Sequence, residues 1–166
     1  MTVVHVRMDN RLIHGQILVA WQTSLKLNHI IVCNDQVAKD PMQIAVLKAV
    51  APEGVRVSVM GVKETCDYCL GPEGQKDQIF VLAKYPEDGL GLVENGLDLK
   101  VFNLGNQAYV RDSKKVSNTV FLTKGGAEAL KKMHEKGIKI TCRMMPNNSE
   151  TEYWPTIASA LPDWTK

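Results

Sequence analysis

The stretch Val3-Val4-His5-Val6-Arg7-Met8-Asp9-Asn10-Arg11-Leu12-Ile13-His14-Gly15-Gln16-Ile17-Leu18-Val19-Ala20-Trp21 changes its period part-way along. Val3–Met8 is a short, β-branched run of the kind found in strands buried on both faces. From His14 to Leu25 the apolar residues Ile17, Leu18, Trp21 and Leu25 recur at helical spacing. A strand that runs through one polar loop into a helix is the first half of a β-α-β crossover. The rest of the chain is read outward from that unit.

The same alternation continues. Strand-like runs recur at His29–Asn34, Arg56–Met60, Gln78–Ala83, Leu99–Leu104, Asn118–Leu122 and Ile138–Met144. Between them lie helical patterns. Asp40 and Pro41 supply a cap and a first-turn proline for Met42–Val50. Gly61–Leu70, Pro86–Asn95 and Lys124–Lys136 follow, the last two stopped by Gly96 and Gly137, and Ser149–Leu161 is a final candidate interrupted by Pro155. Alternation of this kind predicts an α/β fold: an open, mostly parallel, twisted sheet of about seven strands with helices on both faces. The polar stretch Gly105–Lys115 passes from one strand run to the next without a helix and reads as a loop or hairpin excursion, so one edge strand is expected to be antiparallel. No repeat, linker or low-complexity tract divides the chain, and a single domain spanning 1–166 is expected.

Composition excludes several classes. The 166 residues are 45% hydrophobic and 23% charged, which are globular values. Apolar runs are far shorter than the roughly 20 residues of a membrane span. Met1–Arg7 has neither a basic leader nor a signal-length apolar core, which predicts a cytoplasmic location. The net charge of +2 is interspersed, without the basic stripe of a nucleic-acid binder. Cys33 and Cys142 sit in apolar runs and read as buried thiols. Cys66-x-x-Cys69 has the spacing of a zinc or redox motif but no second ligand pair follows it. No metal or cofactor is expected.

The chemistry concentrates in Asp9–Gln16. Loops after the first strand of a doubly wound sheet face the ligand crevice. A histidine followed by glycine at a helix start leaves ring and backbone amides accessible, and such amides attract anions. Arg11 brings a planar fork suited to phosphate oxygens, and Asp9 can orient a side chain or accept from loop amides. On these grounds His14 is a nucleophile taking up a phosphoryl group, a general base, or a structural cap. No Walker or dinucleotide-binding glycine pattern is present.

Val6–Ile17 with Trp21, together with Asn34-Asp35-x-Val37-Ala38-x-Asp40-Pro41 and Asn103-Leu104-Gly105-Asn106, resembles the IIB components of the mannose–fructose–sorbose family of the bacterial sugar phosphotransferase system (PTS). The resemblance covers most of the chain. It implies that His14 accepts a phosphoryl group from a phosphohistidine of a IIA protein. It implies further that Nδ1 (N-pi) carries the group, and that the group passes to a sugar held by the IIC and IID membrane units. Mannose, fructose, sorbose and amino sugars such as N-acetylgalactosamine are the family's substrates. The chain would then be a phosphohistidine–sugar phosphotransferase, held at the inner face of the membrane by its partners. A regulatory module that signals through its phosphorylation state is the alternative; whether the chain forms a homo-oligomer is open.

Within that reading, His14, Arg11 and Asp9 are the catalytic candidates, and Asn10, Gly15, Gln16, Asp35 and Asn106 the phosphoryl-binding ones. For Asp35 a helix-cap or turn role competes, and Lys84 shares its end of the sheet. Position 10 departs from the family's usual acid. So does Met144-Met145-Pro146-Asn147-Asn148, where a Val-Pro-Asx stretch is expected. Arg111, Lys114 and Lys115 form a solvated loop or a partner rim. His5, His29 and His134 read as structural.

Overall fold

The computed structural model describes residues 3–166, apart from the side chains of Gln16 and Ile17. Its elements follow the expected alternation. They are β1 (Val3–Met8), α1 (Gly15–Leu25), β2 (His29–Cys33), α2 (Pro41–Ala49), β3 (Arg56–Met60), α3 (Val62–Leu70), β4 (Ile79–Ala83) and α4 (Pro86–Glu94). There follow β5 (Val101–Leu104), β6 (Lys114–Lys115), β7 (Phe121–Leu122), α5 (Lys124–Glu135), β8 (Lys139–Cys142), β9 (Thr151–Glu152), α6 (Trp154–Ala160) and α7 (Pro162–Thr165). Among the described residues, seven strands form one sheet in the order β3-β2-β4-β1-β5-β8-β9. All neighbours are parallel except β8 and β9.

Alternation along each strand divides the core. On one face Trp21 and Leu18 of α1 and Leu47 of α2 pack on Ile30, Val32, Phe80 and Leu82. On the other, Cys66, Leu92, Leu130 and Ile157 from α3 to α6 pack on Met8, Ile31, Val81, Phe102 and Ile140. Strands buried on both sides explain their continuous apolar runs.

Two expectations are corrected. The antiparallel edge is β9, which folds back on β8 after the Met144–Asn148 turn. The Gly105–Lys115 excursion instead leads into a separate β6–β7 ribbon, so Asn118–Leu122 contributes no strand to the main sheet. Likewise Ser149–Leu161 is not one helix: Pro155 fits only the first turn, and the helix begins at Trp154, with β9 before it.

The topology places the Asp9–His14 loop. Its strand β1 feeds α1 on one face, while the neighbouring β4 feeds α4 on the other and β5 reaches α5 on that same face after the β6–β7 ribbon. This divergence is the switch point at which open α/β sheets bind ligands, at the carboxyl ends of the strands. No helix among the described residues is long and apolar enough to cross a membrane.

Candidate functional site

Backbone hydrogen bonds tie the loop to both neighbouring strand ends. Asp9 N donates to Ala83 O at 3.0 Å, Asn10 N to Asn106 O at 2.9 Å, and Gly105 N to Met8 O at 2.7 Å. The side chains repeat the tie, since Asn106 Nδ2 donates to Asn10 Oδ1 at 3.1 Å. An amide oxygen thus serves as acceptor at position 10. The loop then turns sharply through Leu12, at φ 61, and Gly15, at φ 47. Positive φ costs a leucine of order 1 kcal/mol or more, whereas glycine adopts it freely.

Asp9 is the hub. It is 1% exposed, and its carboxylate accepts from Arg11 N (3.1 Å), Nε (3.0 Å) and Nη2 (2.9 Å). The guanidinium of Arg7 lies 3.8 Å away on the buried side. Arg11 therefore spends two fork nitrogens on Asp9 and leaves the rest of its guanidinium, 38% exposed, toward solvent.

His14 occupies the N-cap position of α1, but its side chain makes no capping hydrogen bond, and the first turn carries no acid. The ring instead turns back on the loop. Nδ1 lies 2.7 Å from Leu12 O, and Nε2 lies 4.0 Å from Asp9 Oδ2, buried and without a hydrogen-bond partner among the described residues. In the neutral ring Nδ1–H donates to the carbonyl and the lone pair sits on Nε2. Of the three readings of His14, the helix-cap role is the one its side-chain contacts do not support.

Beneath the loop is a layer of polar groups that the sequence reading passed over. Arg7, 1% exposed, donates from Nη1 to Asn103 Oδ1 at 2.6 Å and to Arg143 O, and from Nη2 to Met144 Sδ at 3.6 Å. Asn103 Nδ2 donates on to Thr141 Oγ1 at 3.1 Å. Trp21 is the platform beside them: His5 stacks on it at 4.6 Å, and the guanidiniums of Arg7 and Arg143 lie 5.3 and 5.0 Å from its centroid. Its Nε1 donates to Met144 O at 3.2 Å, pinning the turn after β8. A Cβ on Gly105 would come within 2.5 Å of Arg7 Nη2, so glycine is needed there for the guanidinium to pass. The available signal was a charged residue, Arg7, inside a run that otherwise reads as buried on both faces.

The remaining candidates divide. Asn10 and Asn106 join the loop, and Gly15 opens the helix. Gln16 begins the same turn, but its side chain lies outside the described residues. Asp35 does not meet the loop through its hydrogen bond: Oδ1 accepts from Val62 N at 2.8 Å and caps α3. The ammonium of Lys84 lies 5.5 Å from the Tyr85 ring. Asp88, also unforeseen, is buried and accepts from Asn34 Nδ2, Lys84 N and Tyr85 N, bracing two neighbouring strand ends. Cys66 donates to Leu92 O at 3.3 Å, and burial pushes the Cys69 thiol up to about 12, which suits core packing rather than redox exchange. His134 stacks on Trp154 at 4.8 Å, and Lys114 lies over Trp164 at 4.4 Å. Among the described residues no group of three or more His, Cys, Asp or Glu could hold a metal ion.

Fold and comparison together define a component of a phosphotransferase system for sugar transport. The chain belongs to the PTS sorbose-subfamily IIB family, whose model matches residues 3–163. It is 28% identical over 153 residues to the fructose-specific EIIB component of Bacillus subtilis, covering 92% of this chain and 94% of that one. It is 30% identical over 158 residues to the mannose-specific EIIAB component of Escherichia coli, covering 95% of this chain but 49% of that longer one. The crystal structure of the IIB domain of the Klebsiella pneumoniae sorbose permease superposes with a TM-score of 0.90 at 27% identity, covering 96% of this chain and 98% of that one.

Proposed function

We infer that His14 accepts a phosphoryl group from a IIA phosphohistidine and passes it to a sugar presented by IIC and IID permease units. The chain would work at the inner face of the membrane, held there by those units. The observation that carries this reading is the placement of His14. An uncapped helix N-terminus, an arginine and a histidine meet at the switch point of the sheet.

The chemistry follows from these parts. A transferring phosphoryl group is loose and planar, with charge spread over its equatorial oxygens, so the protein's task is positioning and charge stabilisation. The amides at the start of α1 and the exposed side of Arg11 supply positive potential. Asp9 would repel the group, but Arg11 and Arg7 offset its charge, leaving it to hold the loop. An imidazole nitrogen with a free lone pair is a nucleophile. Before transfer the ring rotates off Leu12 O and its proton shifts through solvent from Nδ1 to Nε2, which frees the Nδ1 lone pair; that pair forms the N–P bond as the donor's N–P bond breaks and the donor nitrogen regains its own lone pair. Names among the relatives support the partners: one joins IIA and IIB in a single EIIAB chain, and others are sorbose-, fructose- or N-acetylgalactosamine-specific.

The test is phosphorylation by the general energy-coupling proteins and a cognate IIA, comparing wild type with His14→Ala. The wild type should take up acid-labile label and the variant none; label on the variant overturns the assignment. Adding permease vesicles and sugar should discharge the label as sugar phosphate. Label that stays on the protein would favour the regulatory reading.

A further inference from the structure

A second constellation lies at the other end of the sheet, where the strands begin. His29 opens β2, Arg56 and Ser58 lie on β3, and Asp77 immediately precedes the β4 region. His29 is 1% exposed. Its Nδ1 lies 3.0 Å from Asp77 Oδ2, and its Nε2 lies 2.8 Å from Ser58 Oγ. Tyr68 of α3 meets the imidazole edge-on at 5.3 Å and donates to Asp77 Oδ2 at 2.7 Å. Arg56 Nη2 donates to the same oxygen. A cleft of about 360 Å³ opens over the cluster, edged by Arg56, Lys76 and Glu73.

Arg56 Nη2 also lies 3.0 Å from His29 Nδ1, so the contacts alone admit either tautomer, and the charge of Asp77 beside the ring favours Nδ1–H. Asp77 faces three donors. Burial works against its charge, but the hydrogen bonds from Tyr68 and His29 and the charge of Arg56 hold its carboxyl below the ordinary value. With Nδ1–H on Asp77, Nε2 keeps its lone pair and accepts the Ser58 hydroxyl. Burial also keeps His29 below its ordinary value, so the ring is neutral at pH 7. A hydroxyl on an imidazole whose far nitrogen is held by a carboxylate is the arrangement that activates a serine. Nothing at the His14 site uses it.

We propose that Ser58, His29 and Asp77 form a nucleophilic site that takes the acyl group of small carboxylic esters bearing a negative charge. Lys76 Nζ is paired with Glu73 at 3.2 Å and Arg56 Nη2 is held on Asp77, so the rest of the exposed Arg56 guanidinium is what selects the charge. Ser58 Oγ attacks the ester carbonyl while its proton moves to His29 Nε2. The ester C–O bond breaks and the alcohol leaves with that proton, giving an acyl-serine. Water then attacks the acyl group, its proton passes through His29 to Ser58 Oγ, and the free acid departs.

The test uses the full chain with mono-(4-nitrophenyl) succinate and the neutral 4-nitrophenyl acetate, reading nitrophenolate release and the acylated residue by mass spectrometry. The succinyl adduct should lie on Ser58, be absent from Ser58→Ala, and form at least tenfold more slowly in His29→Gln. Ser58→Ala should retain normal phosphorylation at His14, which separates this site from the transfer reading. The succinate ester should react several-fold faster than the acetate; equal rates would overturn the anionic specificity. Because His29 is buried and its variant could misfold, the wild-type pH profile is an independent check. Acylation of Ser58 should be lost as pH falls through a midpoint below 6.5. Adducts confined to lysines, a rate on Ser58 indifferent to pH, or full labelling in a folded His29→Gln variant would each overturn the proposal.

Discussion

The Nδ1 atom of His14 and the carbonyl oxygen of Leu12 stand 2.7 Å apart, so the histidine in its resting arrangement holds its proton against its own loop. The nitrogen implied as phosphate carrier is therefore occupied, and the other one is buried against Asp9. In the unphosphorylated protein near neutral pH, long-range ¹⁵N–¹H NMR should show the Nδ1–H tautomer for His14. Phosphorylation should remove that signal and shift the Leu12 amide group. A dominant Nε2–H tautomer would contradict the hydrogen bond.

Arg11 engages Asp9 through both Nε and Nη2, a geometry that an ammonium cannot reproduce. Arg11→Lys should slow phosphoryl transfer from IIA by roughly tenfold or more. Because the arginine is partly exposed, stability should change by less than about 1 kcal/mol. Stopped-time labelling and a denaturant titration separate the two effects; an unchanged transfer rate would remove the fork from the mechanism.

Asp9→Asn is a different kind of change. It removes the anion that faces the buried Arg7, and breaking a buried ion pair on one side costs about 3 kcal/mol. The expected outcome is a chain that still folds, with a lower midpoint in urea and impaired labelling of His14. Stability equal to wild type would show that Arg7 is satisfied by Asn103 and Arg143 alone.

Gly105→Ala tests the layer beneath the loop. The added methyl group overlaps the Arg7 guanidinium, and forced repacking of this kind costs about 1–3 kcal/mol. Gly137→Ala is a useful control, because it introduces an unfavourable φ at an open position without touching the site. Transfer should fall in the first variant and persist in the second.

The fifth prediction concerns pH. Burial, reinforced by Arg7, lowers His5 to about 4, and its Nε2 has no partner among the described residues. A histidine depressed in the folded state contributes full stability above its unfolded value near 6.5, and that stability is lost as pH falls toward 4. His5→Phe keeps an aromatic ring against Trp21 and removes the titration. At pH 5 it should therefore be more stable than wild type by about 2 kcal/mol, with a much smaller difference at pH 7.5. Parallel stability curves from pH 7.5 to 5 would refute this.

The main frame of the fold was legible because β-branched runs and helical spacing are local signals. The mostly parallel pairing and the place of the loop after the first strand then follow from general rules of connection, whereas the strand order does not. What was not legible depends on distant partners. Phe121 and Leu122 look like sheet residues, but Lys114 and Lys115 claim them for a separate ribbon. Asp35 lies at the right end of the sheet for phosphate, yet a free amide at Val62 takes its carboxylate. Arg7 and Asn103 pair across two strands widely separated in sequence, and only the fold brings them together. The Ser58–His29–Asp77 cluster draws on three segments in the same way.

The short β9 has a consequence for the protein as one copy among many. Without it β8 would be the outermost strand, presenting unsatisfied backbone groups beside Ile140 as a template on which another chain could add. Two exposed residues, Thr151 and Glu152, cover that rim with a charged, antiparallel stub too short to extend further. The turn that delivers this stub is the one pinned to Trp21 through Met144. The cover of the sheet edge and the polar layer beneath the His14 loop therefore hang on one indole.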